Sequence, residues 1–492
     1  MLGELWHRLG IARALHRAAR GRRLEGEVVE RIIFALVAQR CLEPASKLAC
    51  VSWTRERVAL TTCPPFDDQA AYAAMDFLLD ALGEIATGIF DRTANLLNLS
   101  CDVIFVDSSS TYWEVDVADE EIELAGADEA AREKEAAAAS DGEPAVPGEM
   151  ALRQFSTNST DHRGDLPQVV IAMAVTAEGI PIRCWTFPGT TSDQLVIRRI
   201  KDDLGSWMLN RVLFVTGSGF NSAINRACLQ RGGDHYIVCE KLRSASTDAR
   251  AALARPGRYH LVKDNLSVKE VRVGEGARSQ RFVVCVNPEA KVRDAIVRQN
   301  LVAYLERRID GSDQWPEQRR DELAGELRQT PGAARFLRRT KAHKLRVDKR
   351  AIERDAHFDG KWLIRTSDDT LSATDLAIAC KQLYQVERGW RDLKGALRLR
   401  PVFHYREDRI RSHIQLCWLA LLLIRVAENA TGDTWRNLRH ELDRMHLVTL
   451  ETKEGRIAKR STTTRRQREI LAGLEVREPA QILDYELPTS VE

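Results

Sequence analysis

A fixed succession of apolar runs between residues 103 and 240 constrains the fold more than any other feature of this chain. The runs VIFV, QVVIAMAV and IPIRCWTF predict three strands, the last two joined as a hairpin around Ala177–Gly179. After them TSDQLVIRRIKDDLGSW predicts a helix, RVLFV a strand, NSAINRACLQRGG a helix and HYIVCE a strand. This order predicts an α+β chain with a mixed sheet flanked by helices.

The carboxylate of Asp107 follows the first of these strands, where the serine run predicts a turn. Three strands, a helix, a strand, a helix and a strand are the order of an RNase H-like core, in which the first strand is central and carries a metal-binding acid. Two-metal chemistry on phosphodiesters needs several converging carboxylates, the oxygen ligands that Mg²⁺ prefers. The fourth strand lies beside the first in that topology, and the residue at its end is Gly217.

A third acid is expected from a helix after the sheet, and Glu387 is the candidate. Glu387, Arg391 and Lys394 fall at i, i+4 and i+7, so they share one helical face. A carboxylate for metal beside two cations for DNA phosphate suits nuclease chemistry. An exposed ion-pair ladder has the same spacing, and the spacing alone does not separate the two.

The turn from Gly217 to Ser222 has a second interpretation, because glycines between a strand and a helix also bind the phosphates of dinucleotides. Glu240, at the end of the next strand, stands where an acid for the ribose belongs. Against this interpretation, Ser222 replaces the third glycine and no further parallel units follow Glu240. A dinucleotide-dependent enzyme is therefore the weaker alternative.

The remaining sequence completes a domain plan. We predict a helical amino-terminal domain for DNA binding or dimerisation, a first part of the core with an acidic excursion, a β-rich insertion, a second part of the core with the Glu387 helix, and a basic tail. Their ranges are 1–100, 101–245 (excursion 114–149), 246–368, 369–430 and 431–492. The apolar run 414–424 is too short for a bilayer, which takes about 20 residues, and predicts a core helix.

Charge and cysteine usage narrow the class of protein. The net charge is +2, but residues 114–149 hold 13 acids against two bases, so the rest of the chain carries +13. Arginine clusters near the amino terminus, across 388–411 and in the tail are typical of nucleic-acid binding, although solvated helix faces have the same composition. The ten cysteines form no CxxC pair, which argues against a zinc site and favours a reducing cytoplasm.

Four blocks of sequence, in order, carry a family resemblance: FVDSSSTYWE, DLPQVVIAMAVTAEGIPIRCWTFPGTTSD, VLFVTGSGF and YQVERGWRDLKGALRLRPVFH. Together they resemble bacterial insertion-sequence transposases of the DDE class that carry a β-rich insertion before the catalytic Glu. The resemblance runs through about residues 1–475.

The resemblance implies a site and a reaction. Asp107 matches the first catalytic Asp, Glu387 the catalytic Glu, and Lys394 a lysine that contacts the DNA end. Mg²⁺ or Mn²⁺ on these carboxylates would support cleavage of the element's ends and their transfer to target DNA. The implied partners are double-stranded DNA and a second copy of the chain, in a bacterial cytoplasm and without a membrane.

Several departures from the family pattern predict impaired catalysis. The second catalytic Asp is replaced by Gly217, and removing a ligand of a two-metal site is expected to cost about a thousandfold in rate or more. The Tyr and Arg before the Glu fall at Cys380 and Leu383, the block Asn158–Asp161 has Thr160 for Lys, and the start is expected to be short. An inactive copy that still binds DNA is the main alternative. Asp193, Asp161 and Glu240 are the acids that we consider as substitutes.

Overall fold

The computed structural model describes residues 1–486 except 61, 98, 100–101, 113–151, 156–164, 206, 208–210, 401–403, 405 and 454. The acidic excursion 114–149 and the block Asn158–Asp161 therefore lie outside the described residues. The chain divides into two compact units, the first formed by residues 1–212 and 383–492 and the second by residues 213–382.

Helices alone form the described amino-terminal part of the first unit, as the apolar spacing predicts. They are α1 Leu2–Arg8, α2 Ile11–Ala19, α3 Gly26–Leu42, α4 Lys47–Glu56, α5 Asp68–Asp80 and α6 Leu82–Leu97. Helix α3 is buried on all sides, because every residue from Glu30 to Cys41 is buried, four of them polar or charged. Burial of a whole helix circumference makes α3 the centre of this helical layer.

Antiparallel strands form the sheet of the first unit. They are β1 Val103–Tyr112, β2 Gln154–Phe155, β3 Pro167–Val175 and β4 Pro181–Pro188. Strand β3 pairs with β1 on one side and with β4 in the predicted hairpin. The prediction of a turn after Asp107 is wrong, because the serines continue the strand: Ser108 lies opposite Ala172 and Thr111 opposite Val169. Asp107 is therefore inside β1 and not at its end.

Helices cover this sheet and extend the first unit. They are α7 Asp193–Gly205, which follows the hairpin, and α14 Tyr384–Lys394 and α15 Glu407–Thr431, which follow the second unit in the chain. By length and composition α15 resembles a membrane span, but 94% of its apolar window is buried against protein. It packs on α3, α5 and β4. The prediction of a core helix at 414–424 is confirmed.

The carboxyl-terminal residues form further elements of the first unit: α16 Trp435–Leu442, β13 Leu447–Thr452, β14 Gly455–Arg460, α17 Arg465–Gly473 and β15 Ile482–Glu486. Several cations of the predicted basic tail are paired with acids. Arg466 contacts Asp433 at 2.7 Å and Arg460 contacts Glu478 at 3.0 Å. These two guanidinium groups are neutralised within the protein.

The second unit begins with strand β5 Leu213–Thr216, helix α8 Ala223–Leu229 and strand β6 His235–Cys239. Strands β5 and β6 are parallel, as an RNase H-like order requires. Strand β12 Lys361–Thr366 pairs antiparallel with β6 and with β9 Gln280–Val286. The predicted fold class is confirmed, since the chain is a mixed α+β protein with a large mixed sheet and helices.

The segment 246–368, predicted as a β-rich insertion, contains helices as well as strands. Its remaining elements are α9 Thr247–Ala254, β7 His260–Lys263, β8 Leu266–Val273, α10 Pro288–Ile309, α11 Glu317–Gln329, β10 Leu337–Arg339, β11 Leu345–Val347 and α12 Lys349–Ala356. Helix α13 Ala373–Gln382 ends the unit. Strand β9 lies between β8 and β12, and a separate small core surrounds Leu327 and Phe336.

Candidate active site

Asp107 and the helix that carries Glu387 meet in the first unit. Asp107 lies opposite Met173 in the register of β1 and β3, and α14 packs on both strands. A Cβ atom added at Gly389 of α14 would lie 2.5 Å from Cε of Met173, so this glycine permits the close approach. The strand that holds Asp107 and the helix that holds Glu387 are therefore in contact.

Burial raises the pKa of Asp107 to about 7, and the charges of Asp193 and Glu387 act in the same direction. The backbone N–H of Ser108 and the indole of Trp390 act in the opposite direction, because both favour the charged carboxylate. The charges of Asp193 and Glu387 therefore both act on Asp107.

Asp193 is held there by a serine of β1. Its Oδ1 accepts a hydrogen bond of 2.5 Å from Oγ of Ser108, and it is the first residue of α7. Of the three acids considered as substitutes for the missing Asp, Asp161 lies outside the described residues. Glu240, in the second unit, is buried in an ion pair with Arg365 at 2.5 Å. Asp193 is the one of the three that the structure brings to Asp107.

A metal-binding set is nevertheless incomplete. In the described ranges, no group of three or more His, Cys, Asp or Glu side chains is arranged to hold a metal ion. The donors present do not fit the two-metal site that the resemblance implies, and Gly217 contributes no side chain to it.

The backbone at Gly217 does not require glycine. Gly217 follows β5 with φ −70° and ψ 174°, extended angles that any residue adopts. Among the described residues, positive φ angles occur at twelve other glycines and at His343, Arg398 and Glu475. An aspartate at position 217 is therefore compatible with the local conformation.

The contacts around the same turn disfavour a dinucleotide site. Residues Ser218–Phe220 form a single 3₁₀ turn, and the N–H at the start of α8 is capped by the Ser222 side chain, which accepts from Asn225. The acid expected to bind ribose, Glu240, is occupied by Arg365. Neither the phosphate-binding turn nor the ribose acid has the form that a dinucleotide site needs.

Helix α14 presents Glu387 and Arg391 to solvent, and an ion-pair network holds its other face. Arg425 of α15 is 1% exposed and contacts Asp392 of α14 and Glu428 of α15, both at 2.5 Å. Arg388 also contacts Glu428, at 2.7 Å. Across the described part of the chain, the guanidinium group of Arg391 forms no ion pair. Lys394 is half-buried on the same helix.

Sequence reasoning missed two residues of the site, Trp390 and Ser108. Trp390 is buried on α14, whereas Glu387, one turn before it, is exposed. An aromatic residue one turn after a candidate acid was a readable signal. Ser108 was assigned to a turn, and only its place in the strand aims it at Asp193.

No protein-family model matches the chain, and no curated protein matches it. Among solved structures, the chain is similar to the piggyBac transposase in a cryo-EM structure of its synaptic complex with hairpin DNA. The identity is 8% and the TM-score 0.38, with 90% of this chain and 78% of that chain covered. Because the identity is this low, the assignment of function depends on the residues of the site.

Proposed function

We propose that this chain is a DNA-binding protein of the DDE transposase type whose catalytic site lacks one acid. The observation that carries the proposal is the packing of α14, the helix of Glu387, on β1, the strand of Asp107, within one unit. Burial raises the pKa of Asp107, and the charges of Asp193 and Glu387 add to this effect. Asp107 and Glu387 were selected from the sequence as catalytic acids, although they lie 280 positions apart.

Exposed cations support DNA as the partner. Arg391 is exposed one turn after Glu387. In the amino-terminal helices, a pocket of about 600 Å³ is lined by His7, His16, Arg13, Arg17 and Arg20. None of these three arginines has a side-chain ion pair within the described residues. Uncompensated arginines of this kind bind phosphates by releasing counterions.

The proposal has two forms, which differ in whether the chain cleaves DNA. One form is a transposase with residual cleavage, in which Asp193 partly replaces the acid missing at position 217. The other is a protein that binds the ends of an insertion sequence without cutting them and so competes with active copies. Gly217 and the incomplete metal-binding set favour the second form. A second metal ion stabilises the transition state by several kcal/mol, and each 1.36 kcal/mol of this stabilisation raises the rate about tenfold.

A cleavage assay with a restored acid tests both forms. The natural chain and Gly217→Asp are compared on DNA that carries the element's own ends, with Mg²⁺ or Mn²⁺, and binding of the same DNA is measured in parallel. We expect equal binding by both proteins and cleavage by Gly217→Asp at least about a thousandfold faster. The control is Gly217→Asn, which fills the same space without a full charge.

Each outcome has a distinct meaning. Cleavage by Gly217→Asp alone supports an impaired transposase, and equal cleavage by the natural chain shows that another acid completes the site. Binding without cleavage by every variant restricts the function to DNA binding. Failure to bind any duplex DNA contradicts the proposal as a whole.

A further inference from the structure

Two cysteine thiols lie against each other in the second unit. Sγ of Cys239 and Sγ of Cys380 are 3.0 Å apart, the distance of a thiol hydrogen bond. Cys239 is the last residue of β6 and Cys380 belongs to α13, which packs on β6. The two residues are 141 positions apart in the chain, so the fold alone brings the sulfurs together.

The pair is close to the geometry of a disulfide. A disulfide bond is about 2.05 Å long, so the sulfurs need to approach by about 1 Å. Both residues are free thiols in this structure. A small rotation of either side chain would bring the two sulfurs to bonding distance.

The two thiols differ in access to solvent, and this difference assigns their roles. Cys239 is partly exposed, whereas Cys380 is buried at 8% exposure. The hydrogen bond between the two thiols lowers the pKa of Cys239 and, together with burial, raises that of Cys380. A partly exposed thiol beside a second, buried thiol is the arrangement of redox-sensitive cysteines.

We propose that Cys239 and Cys380 are a reversible oxidation site, with Cys239 as the thiol that reacts with a peroxide and Cys380 as the thiol that resolves it to a disulfide. The site is separate from Asp107 and Glu387 and does not depend on the proposed transposase function. It departs from the related transposases, since the resemblance places a Tyr at the position of Cys380.

The reaction balances with hydrogen peroxide as the oxidant. The Cys239 thiolate attacks one peroxide oxygen, the O–O bond breaks, and the hydroxide that leaves is protonated to water. Cys239 is then a sulfenic acid. The Cys380 sulfur, having lost its proton, attacks the Cys239 sulfur, the S–O bond breaks and a second water leaves. Two thiols lose two electrons, and one peroxide gains them. A dithiol reductant reverses the reaction by exchange.

Other cysteines provide the matched control. In the first unit, Cys184 and Cys417 are two buried thiols, and the charge of Cys417 acts on Cys184. Both are fully shielded from solvent, and burial raises the pKa of both. Thiol burial without an accessible partner is expected to leave them inert.

The test uses the full chain, treated with hydrogen peroxide, alkylated after denaturation and digested for mass spectrometry. We expect one disulfide between the peptides that contain Cys239 and Cys380, its loss on addition of dithiothreitol, and alkylation of Cys184 throughout. Cys380→Ser is expected to accumulate sulfenic acid at Cys239, detected with a dimedone probe, and Cys239→Ser to remain unmodified. Cys184→Ala is expected to form the bond as the natural chain does.

Three results would overturn the proposal: no crosslink at peroxide levels that modify Cys239, faster dimedone labelling at Cys380 than at Cys239, or a bond that dithiothreitol does not reduce in the folded protein. Because Cys239→Ser and Cys380→Ser each remove a single sulfur atom from a packed site, their thermal unfolding is measured first. If either variant is unfolded, the crosslink in the natural chain still decides the outcome.

Discussion

Oγ of Ser108 donates a 2.5 Å hydrogen bond to Oδ1 of Asp193, so the residue that follows Asp107 in β1 holds the first residue of α7. The pKa of Asp107 is raised to about 7 mainly by burial, and next by the charges of Asp193 and Glu387. A carboxyl group in such surroundings keeps its proton to a higher pH than a free aspartic acid does.

Changes to the neighbours of Asp107 are expected to move its pKa in opposite directions. Asp193→Asn and Glu387→Gln each remove a negative charge, so the pKa of Asp107 falls below 7. Trp390→Phe removes an indole that favours the charged carboxylate, so the pKa rises. A ¹³C NMR titration of the aspartate carboxyl carbons, with Asp107→Asn for assignment, measures all three. Asp443→Asn is the control, and movement in one direction for every variant would contradict the arrangement.

Arg391 is expected to contact a DNA phosphate. Arg391→Ala should weaken binding several-fold at moderate salt, and the slope of log K against log salt should fall by about 1. Arg250→Ala removes the same charge from an exposed arginine of the second unit and serves as the control. Fluorescence anisotropy over a salt series gives both quantities. Equal losses in the two variants would mean that net charge, and not a contact at α14, explains the binding.

The sequence predicted the order of the core elements because apolar runs of four to nine residues, separated by polar turns, have an unambiguous period. It also led to the prediction of Asp107 and Glu387 as site acids, through a resemblance that depends on the order and spacing of motifs. It misassigned Ser108, because a run of serines has turn propensity and only pairing with β3 overrides it. The contact of Cys239 with Cys380 was inaccessible to sequence reasoning, since it depends on how α13 packs on β6.

Gly389 allows α14 to lie close to β3, and a side chain there is expected to compete with Met173. Gly389→Ala gains about 1 kcal/mol from helix propensity. Its methyl group meets Cε of Met173 at 2.5 Å, and overpacking costs about 1–3 kcal/mol. In a chain that already carries Met173→Ala the clash is absent, so adding Gly389→Ala brings only the gain in helix propensity. Urea unfolding of the two single variants and the double variant measures the coupling, and additive free energies would refute the contact.

Lys47 and His413 form a buried pair whose protonation should set a pH dependence of stability. Nζ of Lys47 lies 2.7 Å from Nδ1 of His413, and Lys47 is 4% exposed. Burial lowers the pKa of Lys47 from 10.5 to about 7, with the charge of Arg40 acting in the same direction. Burial also lowers the pKa of His413, so neither group readily carries a proton in the folded state.

The unfolded chain therefore binds more protons than the folded chain between pH 7 and 10.5, and the free energy of unfolding rises with pH across this window. Below pH 7, Lys47 is protonated in both states, so the free energy of unfolding is lowered by the full cost of its buried charge. Below pH 6.5 the lowered pKa of His413 reduces the free energy of unfolding further.

Lys47→Met should flatten the dependence between pH 7 and 10, whatever it costs at any one pH. The measurement is urea unfolding over that range for the natural chain, Lys47→Met and Lys241→Met, in which an exposed lysine is replaced. Because the lost hydrogen bond to His413 shifts the Lys47→Met curve without changing its slope, only the difference in slope reports the pKa. Parallel curves for Lys47→Met and Lys241→Met would show that Lys47 is charged in the folded protein at neutral pH.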